Sequence, residues 1–135
     1  MPIMLWDNAL DIGVASMNDE HREILDVMNK IYDARAQGRQ GAAIDVLVAK
    51  LGAVCARHFA DEEALMERIG YPGLGSHKHL HAQLLERYTR HAGEIKAAGG
   101  VAPEEFFDFL RFWLTSHIKG IDAKYGAHAQ ASRAA

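Results

Sequence analysis

Four long segments of the chain place apolar residues at steps of three and four, the spacing that keeps them on one face of an α-helix. In the second segment, for example, Leu51, Val54 and Cys55 continue such a face. Glycines separate the segments, and the chain has only 3 prolines, which favours long uninterrupted helices. Since four amphipathic helices must bury their apolar faces against one another, the pattern predicts an all-α, up-down-up-down four-helix bundle.

Capping residues and glycines set the expected limits of the helices. The predicted helices run from the cluster at residues 16–19 to Gln37, from Gly41 to Gly70, from residues 73–76 to Ala98, and from Pro103 to Gly120. We therefore expect a single domain, residues 1–135, with an N-terminal arm at 1–18, the bundle at about 19–120 and a C-terminal segment at 121–135. The end of that segment, from residue 127, is expected to fray.

Polar side chains interrupt the apolar faces where an apolar residue is expected. They are His21, His58, Glu62, His77, His81 and His117. Burying a polar group without a partner costs about 1–3 kcal/mol, and an unpaired carboxylate costs far more. A bundle with a net stability of about 5–15 kcal/mol cannot carry this set uncompensated. Pairing with one another would satisfy some of these groups, and coordination of metal would satisfy all of them.

The spacing of the histidines and carboxylates agrees with coordination. His58 and Glu62 are four residues apart, as are His77 and His81, so each pair lies side by side on one helix face.

A further candidate ligand, Asp122, follows His117 by five residues, and a regular helix would separate the two by about 140°. Because Gly120 is expected to end the helix, the chain could turn Asp122 back towards His117.

The ligand types predict which metal is bound. If Glu62 and Asp122 each bridge two ions that also share an oxide or hydroxide, the set fills all but one position of two six-coordinate ions. Mixed imidazole and carboxylate ligands at high coordination number favour non-haem iron, whereas zinc prefers four ligands. The Glu-x-x-His motif of the di-iron carboxylate enzymes is absent from the sequence. A centre with five neutral imidazoles and two carboxylates is expected to favour ferrous iron and to bind and release O₂.

The order of these motifs resembles that of the hemerythrins, and of the single-domain bacteriohemerythrins in particular. The matching stretches are Asp19-Glu20-His21, His58-Phe59-Ala60-Asp61-Glu62, His77-Lys78-His79-Leu80-His81 and His117-Ile118-Lys119-Gly120-Ile121-Asp122. Glu20 stands where that family commonly has glutamine. The resemblance covers nearly the whole chain, and it implies reversible O₂ binding at a bridged di-iron centre, for oxygen transport, storage or delivery.

The resemblance also implies a role for each residue. One iron would be held by His77, His81 and His117, the other by His21 and His58, with Glu62 and Asp122 bridging them and O₂ bound at the two-histidine iron. The oxygen pocket of the family would fall on Ile24, Phe59, Trp113 and Leu114.

Other functions are weighed against oxygen carriage. An oxygen or redox sensor would need a separate signalling partner, because the bundle uses the whole chain. A di-iron enzyme, such as an oxidase, peroxidase or nitric-oxide reductase, is ranked lower because no acid–base residue stands out beyond the metal ligands. A purely structural metal site is disfavoured by the open coordination position.

Composition limits the expected partners beyond O₂. A net charge of −3 gives no reason to expect nucleic acid. No stretch reaches the roughly 18 apolar residues of a membrane span, and the N-terminus lacks a basic region before its apolar run, so we expect a cytoplasmic protein. A protein partner and the oligomeric state leave no signature in the sequence.

The remaining notable residues are given structural roles. His79 lies about 200° round the helix from its neighbouring ligands, and we expect it to face outwards. Cys55 and most of the aromatic run at residues 106–113 are predicted to be core. Asp61, Glu63 and Glu67 are predicted to form an exposed acidic face, and His91 and His128 have no partner at ligand spacing.

Overall fold

The chain folds into a bundle of long helices. The computed structural model describes the backbone of residues 6–134 and the side chains of residues 6–131; residues 1–5 of the predicted arm, and residue 135, lie outside the described part. A 3₁₀ helix (Asn8–Leu10) precedes α1 (Ala15–Ala36), α2 (Ala42–Arg68), α3 (Leu74–Ala97), α4 (Glu104–Phe112), a π-helical segment (Trp113–Asp122) and α5 (Ala123–Ala134). The last three follow without a break and form the fourth rod of the bundle. Residues 6–134 contain no strand, and the predicted all-α fold is confirmed.

Ion pairs between helices show the direction of each one. Arg57, late in α2, lies 2.8 Å from Glu23, early in α1. Arg35 at the end of α1 lies 2.9 Å from Glu104 at the start of α4. Between α2 and α3, Tyr88 late in α3 donates to the Val48 carbonyl early in α2, and His81 early in α3 meets Glu63 late in α2. Neighbouring helices are therefore antiparallel, which is the predicted up-down-up-down topology.

The core combines apolar side chains from every rod. The largest fully buried ones are Leu10, Ile24, Met28, Ile31, Ile44, Leu51, Met66, Ile95, Phe106, Phe107, Leu110 and Tyr125. Each apolar side chain of this size contributes about 1.5–3 kcal/mol when it leaves water. Cys55 is 1% exposed, in agreement with its predicted core position, and burial raises the pKa of its thiol. Within residues 6–134, no helix combines the length and the apolar character needed to cross a membrane.

The first helix begins earlier than its capping residues suggest. α1 starts at Ala15, one residue before the cluster that was expected to cap it, so the cluster lies inside the first turns of the helix. Asn18 instead turns towards the N-terminal arm, where its side chain accepts a hydrogen bond from the Ile12 amide at 3.1 Å and donates to Asp11 at 2.7 Å. The buried Asn18 side chain thus fixes the arm to the bundle.

The expectation that Gly120 ends the fourth helix is wrong. Gly120 lies inside the π-helical segment, and α5 continues to Ala134, so the tail expected to fray is helical as well. At the end of the segment the Ala123 amide donates to the Ile118 carbonyl, five residues back, as π-helical geometry requires. Ala123 then begins α5 without a turn.

Substitutions at two glycines of the fourth rod test whether the helix continues through Gly120. Gly120 has open space where a Cβ would lie, whereas a Cβ on Gly126 would meet the carbonyl oxygen of Ile12. We expect Gly120→Ala to raise the free energy of unfolding by about 0.5–1 kcal/mol, because alanine loses less backbone entropy in a helix. Gly126→Ala should lower it by about 1–3 kcal/mol through overpacking.

Urea denaturation followed by circular dichroism measures both effects, and the two variants serve as controls for each other. A clear loss of stability in Gly120→Ala would contradict a continuous helix through that residue.

Candidate metal centre

All the candidate ligands converge at one level of the bundle, out of contact with solvent. The helices α1, α2, α3 and the π segment each contribute at least one. None is more than 4% exposed; the set is His21, His58, Glu62, His77, His81, His117 and Asp122. The i,i+4 spacing on α2 and α3 places the ligand pairs of these helices on one face, as expected.

The π segment explains how His117 and Asp122 meet although they are five residues apart in the sequence. In a π-helix the residue five positions on lies one turn above, so both side chains point the same way. The Nε2 atom of His117 lies 3.1 Å from Asp122 Oδ1. The sequence correctly required these residues to meet, but the helix widens to bring them together instead of ending.

The two oxygens of Asp122 face different histidines. One set of histidines lies on α3 and the π segment, and the other lies on α1 and α2. Its Oδ1 lies 2.9 Å from His77 Nε2 and 3.1 Å from His117 Nε2. Its Oδ2 lies 3.2 Å from His21 Nε2 on the other side. A carboxylate in this position can bind two cations at once.

Glu62 lies between the same two sets. Its Oε1 is 3.2 Å from His58 Nε2 and 3.1 Å from His81 Nε2. Its Oε2 is 3.6 Å from His21 Nε2. Glu62 therefore contacts histidines of both sets, although its oxygens are not divided between them as cleanly as those of Asp122.

The ligand atoms form two overlapping groups with the geometry of cation sites. One group contains Glu62, His77, His81, His117 and Asp122, and the other contains His21, His58, Glu62 and Asp122. Within each group the atoms lie within 4.8 Å of one another. The two groups share both carboxylates.

Many of these atoms are buried without a hydrogen-bond partner. They are His21 Nδ1 and Nε2, His77 Nε2, His81 Nε2, His117 Nε2, Glu62 Oε1, and both oxygens of Asp122. Orphaned buried polar atoms are rare because each one costs about 1–3 kcal/mol. Nearly all of them here point into one cluster, and lone pairs from imidazole and carboxylate suit transition-metal cations. The residues present thus fit a pair of metal ions.

The charged groups of the cluster strongly shift one another's pKa values. Burial lowers the pKa of His58, but hydrogen bonds to Glu20 and Glu62 outweigh it and raise the pKa to about 10. Burial also raises the pKa of Glu62, but the close imidazoles of His21, His58 and His81 hold it well below its usual range. Both carboxylates are consequently kept ionised and able to bind cations.

Comparison with known proteins agrees with this geometry. Residues 12–129 match the sequence profile of the hemerythrin HHE cation binding domain. The chain belongs to the hemerythrin family. A bacteriohemerythrin of Stenotrophomonas maltophilia is 30% identical over 131 residues, which cover 97% of this chain and 84% of the relative. A bacteriohemerythrin of Pseudomonas aeruginosa PAO1 is 32% identical over 93% of this chain and 80% of its own.

Solved structures show the same fold. A crystal structure of wild-type hemerythrin superposes with a TM-score of 0.83 at 29% identity, covering 92% of this chain and 95% of its own. A leucine-to-tyrosine variant of a hemerythrin gives a TM-score of 0.85 at 28% identity, over 94% and 97% of the two chains. The hemerythrin fold and the predicted family resemblance are both confirmed.

Two glutamates accept hydrogen bonds from the Nδ1 atoms of histidines in this cluster, on the side of each ring that faces away from the centre. Glu20 Oε1 accepts from His58 Nδ1 at 2.6 Å, and Glu63 Oε2 accepts from His81 Nδ1 at 2.9 Å. Since the Nε2 atoms face the cluster, these bonds keep the hydrogen on Nδ1 and set the orientation of each ring. Burial raises the pKa of Glu20, but its contacts with His58 and Asp61 and the nearby charge of Arg57 together lower it.

The predicted exposed acidic face is thus partly wrong. Asp61 and Glu67 are exposed, but Glu63 is half-buried against His81. Its sequence position, beside the ligand Glu62, gives no sign of this role, because the contact depends on the distance between α2 and α3.

Sequence reasoning missed Tyr125. This side chain is fully buried, and its hydroxyl donates to Glu62 Oε2 at 2.5 Å. Tyr125 follows Asp122 by three residues, so a continued helix would have placed both on one face. The expected helix end at Gly120 concealed that signal.

The histidines assigned structural roles lie away from the cluster. His79 is exposed, as predicted. The His91 ring stacks on Phe109 at 5.0 Å, and His128 Nε2 lies 3.1 Å from the Ile69 carbonyl oxygen. Neither belongs to a group of potential ligands among the described residues.

The hydrogen bond from Tyr125 predicts a measurable loss. Tyr125→Phe leaves Glu62 Oε2 without its donor, and we expect the free energy of unfolding to fall by about 1.5–3 kcal/mol, the range for hydrogen bonds to charged groups. Tyr32→Phe is the matched control, because the Tyr32 hydroxyl makes no hydrogen bond to a described residue while its ring packs on Phe107.

Chemical denaturation of the two variants beside the parent chain gives the comparison. Equal stabilities for Tyr125→Phe and Tyr32→Phe would show that the hydroxyl contributes nothing to holding Glu62.

Proposed function

We propose that this protein binds O₂ reversibly at a non-haem di-iron centre, for oxygen transport, storage or delivery. The observation that carries the proposal is the pair of overlapping buried ligand groups that share Glu62 and Asp122. Membership of the hemerythrin family supports it, as do relatives named bacteriohemerythrin and a 28% identical relative named myohemerythrin, from Riftia pachyptila.

The ligands divide between two iron ions. His77, His81 and His117 would hold one, and His21 and His58 the other. The contacts of Asp122 support this division, because Oδ1 faces His77 and His117 while Oδ2 faces His21. Two ferrous ions held in this way, with an oxide or hydroxide between them, would bind O₂ and supply the electrons that reduce it.

O₂ would bind at the ion that is held by fewer histidines. His21 and His58 provide two imidazoles, against three from the other set. With both carboxylates bridging, the smaller set leaves room for one small ligand. This assignment places the O₂ site on the α1 and α2 side of the cluster.

Apolar side chains enclose the cluster and limit the entry of water. The proposed oxygen pocket consists of Ile24, Phe59, Trp113 and Leu114, none more than 3% exposed. The Phe59 ring stacks on the His81 ring at 4.0 Å, and Trp113 meets Phe59 edge to face at 5.5 Å. Excluding water is what a carrier requires, because water and protons promote autoxidation, in which the oxygen ligand would leave in reduced form and the iron would remain oxidised.

The outer carboxylates support a stable site. Glu20 and Glu63 hold His58 and His81 in fixed orientations, so the cluster is arranged before metal arrives. Such preorganisation favours tight metal retention. Oxygen carriage differs from sensing and from enzymatic turnover in being reversible.

The visible absorption spectrum tests reversibility directly. The iron-loaded protein, reduced without air, should gain an absorption band on exposure to air and lose it again on degassing, over repeated cycles. A change straight to the oxidised spectrum, with no return on degassing, would contradict reversible carriage and favour a sensor acting through a separate partner or a di-iron enzyme.

Iron content tests the ligand assignment separately. We expect His117→Ala to lose most of its iron, because metal binding and folding energy are coupled. His79→Ala is the matched control on an exposed position and should keep the iron content of the parent. Iron per chain is measured by colorimetric assay after gel filtration. Full iron occupancy in His117→Ala would refute the assignment of this histidine.

A further inference from the structure

A half-open groove lies between α3 and the fourth rod, outside the metal cluster. Its cavity volume is about 500 Å³, within the range of small-molecule sites, roughly 300–1,000 Å³. Its apolar lining comes from Leu80 and Leu84 on one side and from Phe112 and Ile121 on the other. Phe112 belongs to the aromatic run that was expected to be mostly core, but it is 52% exposed and faces this groove.

Two arginines lie at one end of the groove. The Arg87 guanidinium stacks on Phe109 at 4.8 Å and Phe112 at 5.6 Å. Among the described side chains, no carboxylate lies within ion-pair distance of it. Arg90 lies 3.6 Å from Glu86, but both are largely exposed, so this pair is weak. The charged lining residues leave a net positive charge at this end.

The opposite end of the groove reaches the metal cluster. His117, whose Nε2 faces Asp122, also lines the groove together with Leu80 and Ile121. From Leu80 to Arg90 the helix rises by about 15 Å. The groove therefore has a cationic end and an apolar end, separated by roughly the length of a medium-chain fatty acid.

We propose that this groove binds a medium-chain aliphatic carboxylate. Its head group meets Arg87 and Arg90, and its chain lies along Leu84 and Phe112 towards His117. A neutral apolar ligand would leave the Arg87 guanidinium without an anionic partner and Arg90 with only its weak contact to Glu86. A highly charged anion such as a nucleotide would place its charge over the apolar lining and beside Glu86. The bound chain would cover the side of His117 that faces the groove.

Isothermal titration calorimetry with decanoate, below its micelle concentration, tests the proposal on the folded chain. We expect saturable binding at one site. The double variant Arg87→Gln/Arg90→Gln should bind about ten-fold more weakly or worse, the loss for one charge-assisted hydrogen bond. Arg57→Gln, on the exposed surface of α2, is the matched control and should bind as the parent does.

Two further titrations complete the test. Decanol, which has the same chain and no charge, should bind much more weakly than decanoate. Ser116→Phe, at an exposed position lining the groove, should fill it and abolish binding while circular dichroism stays unchanged. Absence of saturable decanoate binding, or equal affinities in the parent and the double arginine variant, would overturn the proposal. Because the titration does not depend on oxygenation, its failure leaves the proposed oxygen function standing, and the reverse also holds.

Discussion

The burial of imidazoles and carboxylates inside an apolar bundle is the constraint on which the rest of this structure depends. Removing Glu62 and Asp122 from water raises their pKa values, and the facing histidines reverse that effect. Packing alone cannot compensate for such a cluster, because every neighbouring element must place a polar atom within about 3 Å of its target. The positions of the four rods are therefore tied to one another through a few short polar contacts, in addition to the surrounding apolar core.

These polar contacts form an inner group, the candidate metal ligands, and an outer group of side chains that bind to those ligands. The inner atoms lie on helix faces whose spacing is set by periodicity, so they can be read from the sequence. The outer contacts, from Glu20, Glu63 and Tyr125, each join two helices or a helix and the fourth rod. Their geometry depends on the distance and rotation between helices, which no single segment encodes.

The sequence predicted the fold, the topology and the convergence of the candidate ligands because each follows from helical spacing and from the cost of burying polar groups. It failed where that spacing changes. Gly120 was taken for a helix end because glycine commonly ends helices, and because an α-helix would separate His117 from Asp122. The alternative, a π segment, carries no compositional signal, so this region could not be read locally. The error then hid Tyr125.

The π segment also changes the phase of everything after it. A wider turn holds more residues for the same length of axis, so α5 presents a different side to the bundle than an uninterrupted α-helix would. Tyr125 faces inwards as a result of that rotation together with its spacing from Asp122. A hydrophobic repeat counted at constant period through residues 104–134 would drift out of step by the C-terminal end. The orientation of α5 about its own axis is thus determined by the same π segment that brings Asp122 into the site.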